Sequence, residues 1–323
     1  MTAFFLVVGL EVRHEMHEGA LSTFRTAALP IIVAIGGNVA PATIYLLFNG
    51  AENVRAGWAI PTATDIAFAV GVLALLGSRA NPALRAVLLA LAIADDVAAI
   101  LIIAFFYADG IAVQGVGIAA LGLGGLLVLR RRRAQGALAY LAVGVVLWIG
   151  MLRAGLHPVL AGVVVGVLMP DPAAKHLEAG LHPWIAYGVM PLFALANAGI
   201  SFGGLDLSSE VPRALAGGIA LALFVGKPLG IVTTVALAVR VGWCTLPAGV
   251  TWRGVALIGC LGGIGFTMSI FIATLAFPEP SLLAAAKLGV LVASVLAGTT
   301  AWIFGSWGAS KPAPATNVDR SSA

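Results

Sequence analysis

Residues 57–71, GWAIPTATDIAFAVG, form an apolar run that is interrupted near its centre. Pro61 removes a helical hydrogen bond, and the polar residues Thr64 and Asp65 follow it at mid-span. A second run, GCLGGIGFTMSIFIA at 259–273, is interrupted by a cluster of glycines and then by hydroxyl residues. Both patterns predict helices that unwind inside a membrane, which is tolerated only where the backbone lines a protein-enclosed or watery cavity.

The composition is that of a protein that lies mostly in lipid. Of the 323 residues, 60% are hydrophobic and 10% are charged, whereas soluble domains carry about 25% charged residues. Most apolar runs approach the length of about 20 residues that a helix needs to cross a bilayer, and they lack the alternation of transmembrane β-strands. We therefore predict an all-α polytopic membrane protein with about 10 or 11 spans. The predicted helices cover residues 26–49, 58–77, 86–107, 111–130, 136–154, 156–169, 181–201, 213–240, 253–277 and 285–308, after a partial segment at the N-terminus.

The two interrupted runs occupy matching positions in the chain. Each is the middle member of three predicted spans, in units at about 26–107 and 213–308. Interrupted helices at corresponding positions of two halves are typical of inverted-repeat transporters, whose substrate site lies between them. A glycine-mediated packing face is the alternative for either run taken alone. We predict one transmembrane transporter domain over residues 1–310, followed by a disordered cytoplasmic tail at 311–323.

Four ionisable side chains lie deep within predicted spans. LAIADDVAAI, residues 91–100, contains Asp95 and Asp96, while Asp65 and Lys227 lie in other spans. A charge at the bilayer centre costs at least about 2.5 kcal/mol. Apolar replacements of buried ion pairs are often neutral or stabilising, so structural pairing is a weak reason to keep four such charges. Intramembrane charges instead indicate a path for ions or protons.

The adjacent carboxylates indicate a specific chemistry. Mutual repulsion and poor solvation favour protonation of the pair Asp95 and Asp96, while a hard cation such as Na⁺ binds the same oxygens, helped by hydroxyl or carbonyl groups. Proton and cation then compete for one site, and a site that faces the two sides of the membrane in turn produces antiport. We predict that Lys227 compensates one aspartate, and that Asp65 and Lys227 balance the facing ends of the broken helices.

Basic residues at the ends of the spans predict the orientation. Loops rich in arginine and lysine are cytoplasmic by the positive-inside rule, which places the C-terminus in the cytoplasm. Loop arginines also account for the formal charge of +4 without a nucleic-acid partner. The two cysteines show no metal or redox spacing, and no cofactor is predicted. The basic residues predicted to be cytoplasmic are Arg13, Arg25, Arg79, Arg85, Arg130 to Arg133, Lys175, Arg240, Arg253, Lys311 and Arg320.

Four motifs together closely resemble those of the NhaA sodium/proton antiporters: PTATDIAFAVGVLALLGSR at 61–79, LAIADDVAAILIIAFFY at 91–107, GKPLG at 226–230 and GIGFTMSIFIA at 263–273. The resemblance runs from about Phe4 to Gly305. It implies the family's inverted-repeat fold, with two broken crossing helices and twelve spans, in the plasma membrane of a bacterium. It also implies electrogenic exchange of Na⁺ or Li⁺ for H⁺, written as two protons per sodium ion, in pH and sodium homeostasis.

The resemblance further implies roles for individual residues. Asp95 and Asp96 match the cation- and proton-binding pair, where Na⁺ would bind. Lys227 matches the family's essential lysine, which is often considered the partner of the residue at Asp95. The residues that match the two broken helices are Thr64, Asp65, Gly263, Gly265 and Thr267.

The family's steep response to pH depends on a group of residues on the cytoplasmic side. The matching residues here are Glu11, Glu15, His157, Lys175, Glu178 and His182. His14 and Ala179 depart from the family pattern, and since histidine titrates near neutral pH we expect the activating pH to differ. Because His157 and His182 each precede a proline, a turn or packing role is the alternative for both.

The N-terminus also departs from the family pattern. MTAFFLVVGLEVRHE, residues 1–15, holds only about ten apolar residues before Glu11, half of what a crossing needs. Relative to the family, the first helix and half of the second would be missing, together with the hairpin that many members use to dimerise. A homodimer would then be weakened. The alternatives are a misassigned start codon, which we favour, and a truncated, inactive product.

Other classes of membrane protein also use acidic residues. An intramembrane aspartyl protease needs one carboxylate from each of two facing helices, whereas neighbouring residues on one helix point about 100° apart. A prenyl transferase needs a DDxxD pattern, which DDVAA lacks. A sodium-coupled solute symporter of related fold is the stronger alternative and would need an organic-solute pocket. We therefore predict a secondary transporter rather than an enzyme.

Overall fold

The computed structural model describes residues 1–19, 24–77, 81–107, 110, 112–200 and 209–307, with only the backbone at residues 24–26. These residues are mostly helical, which confirms the all-α prediction. The α-helices are α1 (Thr2–His17), α2 (Phe24–Phe48), α3 (Glu52–Arg55), α4 (Ile66–Leu75), α5 (Pro82–Phe106), α6 (Val113–Arg131), α7 (Ala137–Ala154), α8 (Val159–Leu168), α9 (Asp171–Trp184), α10 (Met190–Ala198), α11 (Glu210–Leu221), α12 (Lys227–Arg240), α13 (Trp252–Gly262), α14 (Phe266–Ala276) and α15 (Pro280–Trp307).

The number of apolar helices agrees with a polytopic membrane protein. Within the described residues, seven helical stretches are long and apolar enough to cross a membrane, and two bent pairs raise the number to nine. The apolar α8 has only 10 residues, and it packs along the 16-residue α1. Both helices are shorter than the length that crosses a bilayer, so the number of 10 or 11 spans stays a prediction.

The two interrupted runs form the two bent spans. Glu52–Thr62 and Ile66–Leu75 meet at 46°, and Trp252–Gly262 and Phe266–Ala276 meet at 43°. In the first, a tight 3₁₀-helix containing Pro61 replaces the last turns before the break, because proline lacks the N–H that an α-helix would use. Each bent span lies between two long helices, as in the predicted three-span units. The relation of these units as inverted repeats stays a prediction.

Small residues allow the helices outside these units to pack at backbone contact. A Cβ atom added to Gly166 of α8 would lie 2.7 Å from the carbonyl carbon of Gly9 in α1. One added to Gly150 of α7 would lie 2.2 Å from the backbone nitrogen of Ala119 in α6. Both distances are too short for a real side chain, so larger residues would push the helices apart. Helices α1, α6, α7 and α8 form a separate group. Its helix α1 packs against α5, which belongs to the first bent-span unit.

Several predicted spans begin earlier in the structure, and those predicted at 58–77 and 86–107 begin at Glu52 and Pro82. The span predicted at 181–201 begins earlier, because α9 starts at Asp171 and continues through a π-helical turn into α10, which ends at Ala198. The first turns of α9 are polar, so a criterion based on apolar length misses them. The span predicted at 285–308 begins at Pro280, since the first turn of a helix tolerates proline.

Some predictions concern residues outside the described part of the chain. These are the positions of Arg79, Lys311 and Arg320, the side chain of Arg25, and the tail at 311–323.

Candidate ion site

The breaks of the two bent spans meet in the protein interior. The backbone N–H of Asp65 donates to the carbonyl oxygen of Ile264 at 2.7 Å, which links one break to the other. Helix α4 begins at Ile66 and α14 begins at Phe266, so two helix N-termini, whose first N–H groups have no partner within the helix, start close to this link. The contact brings together residues that lie 199 positions apart in the sequence.

Asp65 caps both of these N-termini. Its Oδ1 accepts from the backbone N–H of Phe68 at 3.2 Å, and its Oδ2 accepts from the backbone N–H of Thr267 at 2.9 Å. The hydroxyl of Thr267 donates to the same Oδ2 in a short hydrogen bond. One carboxylate therefore faces the positive ends of two half-helices, which is favourable in a buried position. This is the placement expected for Asp65 from the sequence.

Lys227 pairs with Asp95, the partner that the family resemblance implied, and not with a helix end as was also predicted. Its Nζ lies 2.5 Å from Oδ2 of Asp95, and both side chains are 0% exposed. The carbonyl end of α13 is met instead by the hydroxyl of Thr64, which lies 3.1 Å from the carbonyl oxygen of Gly262. The ammonium therefore compensates Asp95 rather than a helix terminus. A π-helical turn, Ala222–Gly226, directly precedes Lys227 and Pro228.

Asp95 is the more fully coordinated of the two adjacent aspartates. Besides Lys227, its Oδ2 accepts from the hydroxyl of Thr64 at 2.7 Å. Its Oδ1 lies 3.4 Å from Nδ2 of Asn38 on α2. Because a hydroxyl has one hydrogen, Thr64 donates either to Asp95 or to Gly262 at a given moment. Asn38 was not predicted from the sequence, although an amide in the middle of a membrane helix is a signal that could have found it.

Asp96 has no such partners. Its side chain is 1% exposed, and within the described residues neither of its carboxylate oxygens has a hydrogen-bond partner. Buried carboxylates are normally paired or hydrogen-bonded, because an uncompensated one is costly. A proton or a cation bound to this carboxylate would remove the cost.

The glycines of the second broken helix are required by close packing. A Cβ atom on Gly263 would lie 2.8 Å from the carbonyl oxygen of Leu223, and one on Gly265 would lie 2.2 Å from Oγ of Ser269. Ser269 in turn donates to the carbonyl oxygen of Ile60 at 2.7 Å, which satisfies a backbone group near the first break. Gly263 therefore lets the second break pack against the backbone that precedes Lys227, and Gly265 leaves room for the Ser269 side chain that reaches Ile60.

Part of the predicted pH-response group lies at a cleft between α1 and α9. Lys175 and Glu178 line this cleft from α9, while Glu11 and Glu15 are half-buried on α1. Nζ of Lys175 lies 2.7 Å from a carboxylate oxygen of Glu18. Hydrogen bonds from Lys175 hold the pKa of the Glu18 carboxyl below its usual range.

A second ion pair lies at this cleft, and neither pair was predicted from the sequence. The guanidinium of Arg13 contacts Asp171 at 2.9 Å and donates to the carbonyl oxygen of Val167. The sequence gives no direct signal for either pair, since the partners are more than 150 residues apart.

The two histidines of the predicted pH-response group lie apart from the ion pairs at the cleft between α1 and α9. His157 precedes α8 and its ring packs edge-on against Phe271. Ten residues separate it from Val167, where Arg13 binds, which is about 15 Å along the helix axis. His182 is exposed on α9, seven residues beyond Lys175. The structure thus does not join His157 to the cleft between α1 and α9.

Comparison with known proteins identifies similar sequences across nearly the whole chain. The family model described as Na+/H+ antiporter 1 matches residues 1–304. The Na(+)/H(+) antiporter NhaA 2 of Pseudomonas putida is 47% identical, over 98% of this chain and 81% of that protein. The Na(+)/H(+) antiporter NhaA of Bordetella petrii is 49% identical over 96% of this chain and 76% of its own length. The protein of the same name from an Acidovorax species is 52% identical over 95% of this chain and 76% of its own length.

Proposed function

This chain belongs to the Na+/H+ antiporter 1 family, and from that membership we propose that it exports Na⁺ or Li⁺ across the inner membrane of a bacterium in exchange for H⁺. The proposed exchange is electrogenic, with two protons moved inward for each cation moved outward, and it serves pH and sodium homeostasis. Asp95 and Asp96 are the proposed binding site for both ions. The positive-inside rule favours a cytoplasmic C-terminus. Assembly into a homodimer stays a prediction.

The observation that carries this proposal is the difference between two adjacent carboxylates. Asp95 is neutralised by Lys227, while Asp96 is equally buried and has no hydrogen-bond partner among the described residues. Asp96 therefore needs a proton in the arrangement described here. A hard cation would satisfy the same oxygens, so proton and Na⁺ are alternative occupants of one position.

Charge balance links this arrangement to the proposed stoichiometry. With Asp96 protonated and Lys227 paired to Asp95, the three groups together are neutral. A Na⁺ ion that binds both carboxylates displaces the proton of Asp96 and the ammonium of Lys227. A buried ammonium without a counter-charge is costly, so Lys227 releases a proton in turn. Two protons then leave for one Na⁺ that enters, and the site carries one negative charge, which makes the cycle electrogenic.

Asp65 and the hydroxyl residues support this site without carrying the transported ions. Asp65 is occupied by the N-termini of α4 and α14, so it acts as a fixed compensating charge. Thr64 can turn its single hydrogen from Asp95 toward Gly262, and its oxygen is then free to face a cation. The broken helices thus provide oxygen ligands that continuous helices would use internally.

The proposal is tested by Asp96→Asn in proteoliposomes of the whole chain. We expect the variant to lose Na⁺-driven proton movement, because an amide cannot exchange a proton for a cation. Glu210→Gln, which neutralises an exposed carboxylate at the start of α11, is the matched control and should transport normally. Fluorescence dequenching on addition of Na⁺, Li⁺ or K⁺, from mildly acidic to alkaline pH, measures exchange. Wild-type rates in the Asp96 variant would refute the assignment.

The sodium-coupled symporter alternative has less support than antiport, because it would need a pocket for an organic solute. A cavity of about 750 Å³ lies between α2, α5, α12, α13 and the loop at 242–250, and the described residues that line it are mainly apolar and include no charged side chain. Such a lining offers few groups to orient a polar solute. Na⁺-driven proton movement in the absence of any organic solute would exclude symport as the principal activity.

A further inference from the structure

The helix that carries Lys227 is held against α2 at backbone contact. A Cβ atom on Gly230 of α12 would lie 2.3 Å from the carbonyl oxygen of Gly36 in α2. One on Gly226 would lie 2.9 Å from Cα of Pro41. A larger residue at either glycine would therefore push the two helices apart or distort them. This contact fixes which residues of α2 face the ion pair.

Asn38 is the polar residue that α2 presents at this level. The position before it, Gly37, lies directly beside the Lys227 side chain, since an added Cβ atom would be 3.9 Å from Cδ. Nδ2 of Asn38 lies 3.4 Å from Oδ1 of Asp95, whereas Lys227 and Thr64 both use Oδ2. Asn38 therefore lies next to Oδ1 of Asp95, the carboxylate oxygen that Lys227 does not contact. The side chain is half-buried rather than sealed in the core.

The amide group has the chemistry for two different neighbours. Its NH₂ donates to a carboxylate, and its carbonyl oxygen accepts or binds a hard cation. Rotation about the last side-chain bond exchanges these two ends with little displacement, because that torsion is broad. A methyl or methylene group in the same place would offer neither function.

We propose that Asn38 is a switchable ligand of the ion site. In the arrangement described here, its NH₂ faces Oδ1 of Asp95 and helps to orient the carboxylate whose other oxygen binds Lys227. When Na⁺ replaces the ammonium, the amide turns and its carbonyl oxygen contributes a neutral ligand to the cation. Asn38 then sets the affinity for the cation and the preference between Na⁺ and Li⁺. This inference rests on the proposed exchange at Asp95 and Asp96.

The test compares transport by Asn38→Met and the wild-type chain in proteoliposomes. Methionine has as many side-chain heavy atoms as asparagine and suits an apolar helix, but it lacks the amide oxygen. We expect the apparent KM for Na⁺ to rise about ten-fold, with the maximal rate changed much less, and the ratio of KM values for Na⁺ and Li⁺ to change. Thr43→Val is the matched control, because Thr43 lies on the same helix but is exposed and donates to the backbone of Val39.

The outcomes separate this inference from the proposed function. Loss of exchange in Asp96→Asn together with unchanged KM values in Asn38→Met would refute only the role of Asn38. Absence of exchange in the wild-type chain would refute the proposed function itself. If Asn38→Met does not insert or fold, Asn38→Ser replaces it. Serine keeps one oxygen, so an intermediate KM supports the inference, and a wild-type KM and Na⁺/Li⁺ ratio in that variant overturn it.

Discussion

Lys227→Met would leave the buried carboxylate of Asp95 without its main partner. Both side chains are 0% exposed, and Nζ lies 2.5 Å from Oδ2. Among the described residues, the partners that remain to Asp95 are the hydroxyl of Thr64 at 2.7 Å and the amide of Asn38 at 3.4 Å. Removal of one member of a buried ion pair costs about 3–5 kcal/mol, because the other charge is then uncompensated.

This loss should appear as a lower melting temperature. The entropy of unfolding is about 2 cal/mol/K per residue, so 3–5 kcal/mol corresponds to roughly 4–7 °C for a chain of 323 residues. Differential scanning fluorimetry of the purified protein in detergent measures the shift. Lys287→Met is the control, since Lys287 is half-buried on α15, and its replacement should change stability by about 0.5 kcal/mol or less.

The double variant Asp95→Asn with Lys227→Met tests the cause of the loss. A neutral amide replaces the carboxylate at nearly the same volume, so no uncompensated charge remains. We expect the double variant to recover at least half of the stability that Lys227→Met loses. A double variant whose loss equals the sum of the two single losses would show that the two side chains are not coupled, and would refute the reasoning.

Two further predictions concern the broken helices and the cleft between α1 and α9. Thr267→Val removes a hydroxyl that donates to the buried Asp65 carboxylate, so we expect a loss of about 1.5–3 kcal/mol by thermal denaturation. A melting temperature equal to that of the wild type would contradict the capping role of this hydroxyl. Glu18→Gln breaks the exposed contact with Lys175, and at neutral pH we expect little change in melting temperature. Because Lys175 lowers the pKa of Glu18, any contribution of this pair is present above the ordinary glutamate pKa and is lost as pH falls through the lowered value. A stability difference between wild type and variant that grows on acidification would contradict this sign.

The sequence predicted the positions of the breaks for local reasons. Proline at Pro61 and the glycines around Gly263 interrupt apolar runs, and a helix that loses hydrogen bonds at those positions must bend or end there. The structure has its two bent spans at these places. Boundaries were predicted less well where polar residues extend a helix beyond its apolar part, as at the start of α9.

Partners across the site were harder to predict, because they are set by helix packing. The separations in sequence are 132 residues for Lys227 and Asp95 and 57 residues for Asn38 and Asp95. Arg13 with Asp171, at 158 residues, was not anticipated. Nothing in the local pattern of either partner specifies such a pair. The position of Lys227 inside an apolar run identified it from the sequence, and the resemblance to a known family supplied Asp95 as its partner, but neither identified Asn38.

The sequence by itself determined that this chain lies in a membrane, where its helices break, and which ionisable groups are placed inside it. Those properties depend on hydropathy, proline and glycine, which act over a few residues. Only the tertiary structure decided how the two adjacent aspartates differ. Neighbouring residues on a helix point about 100° apart, so the packing of α5 against its neighbours gives Asp95 the ammonium of Lys227 and leaves Asp96 without a hydrogen-bond partner among the described residues.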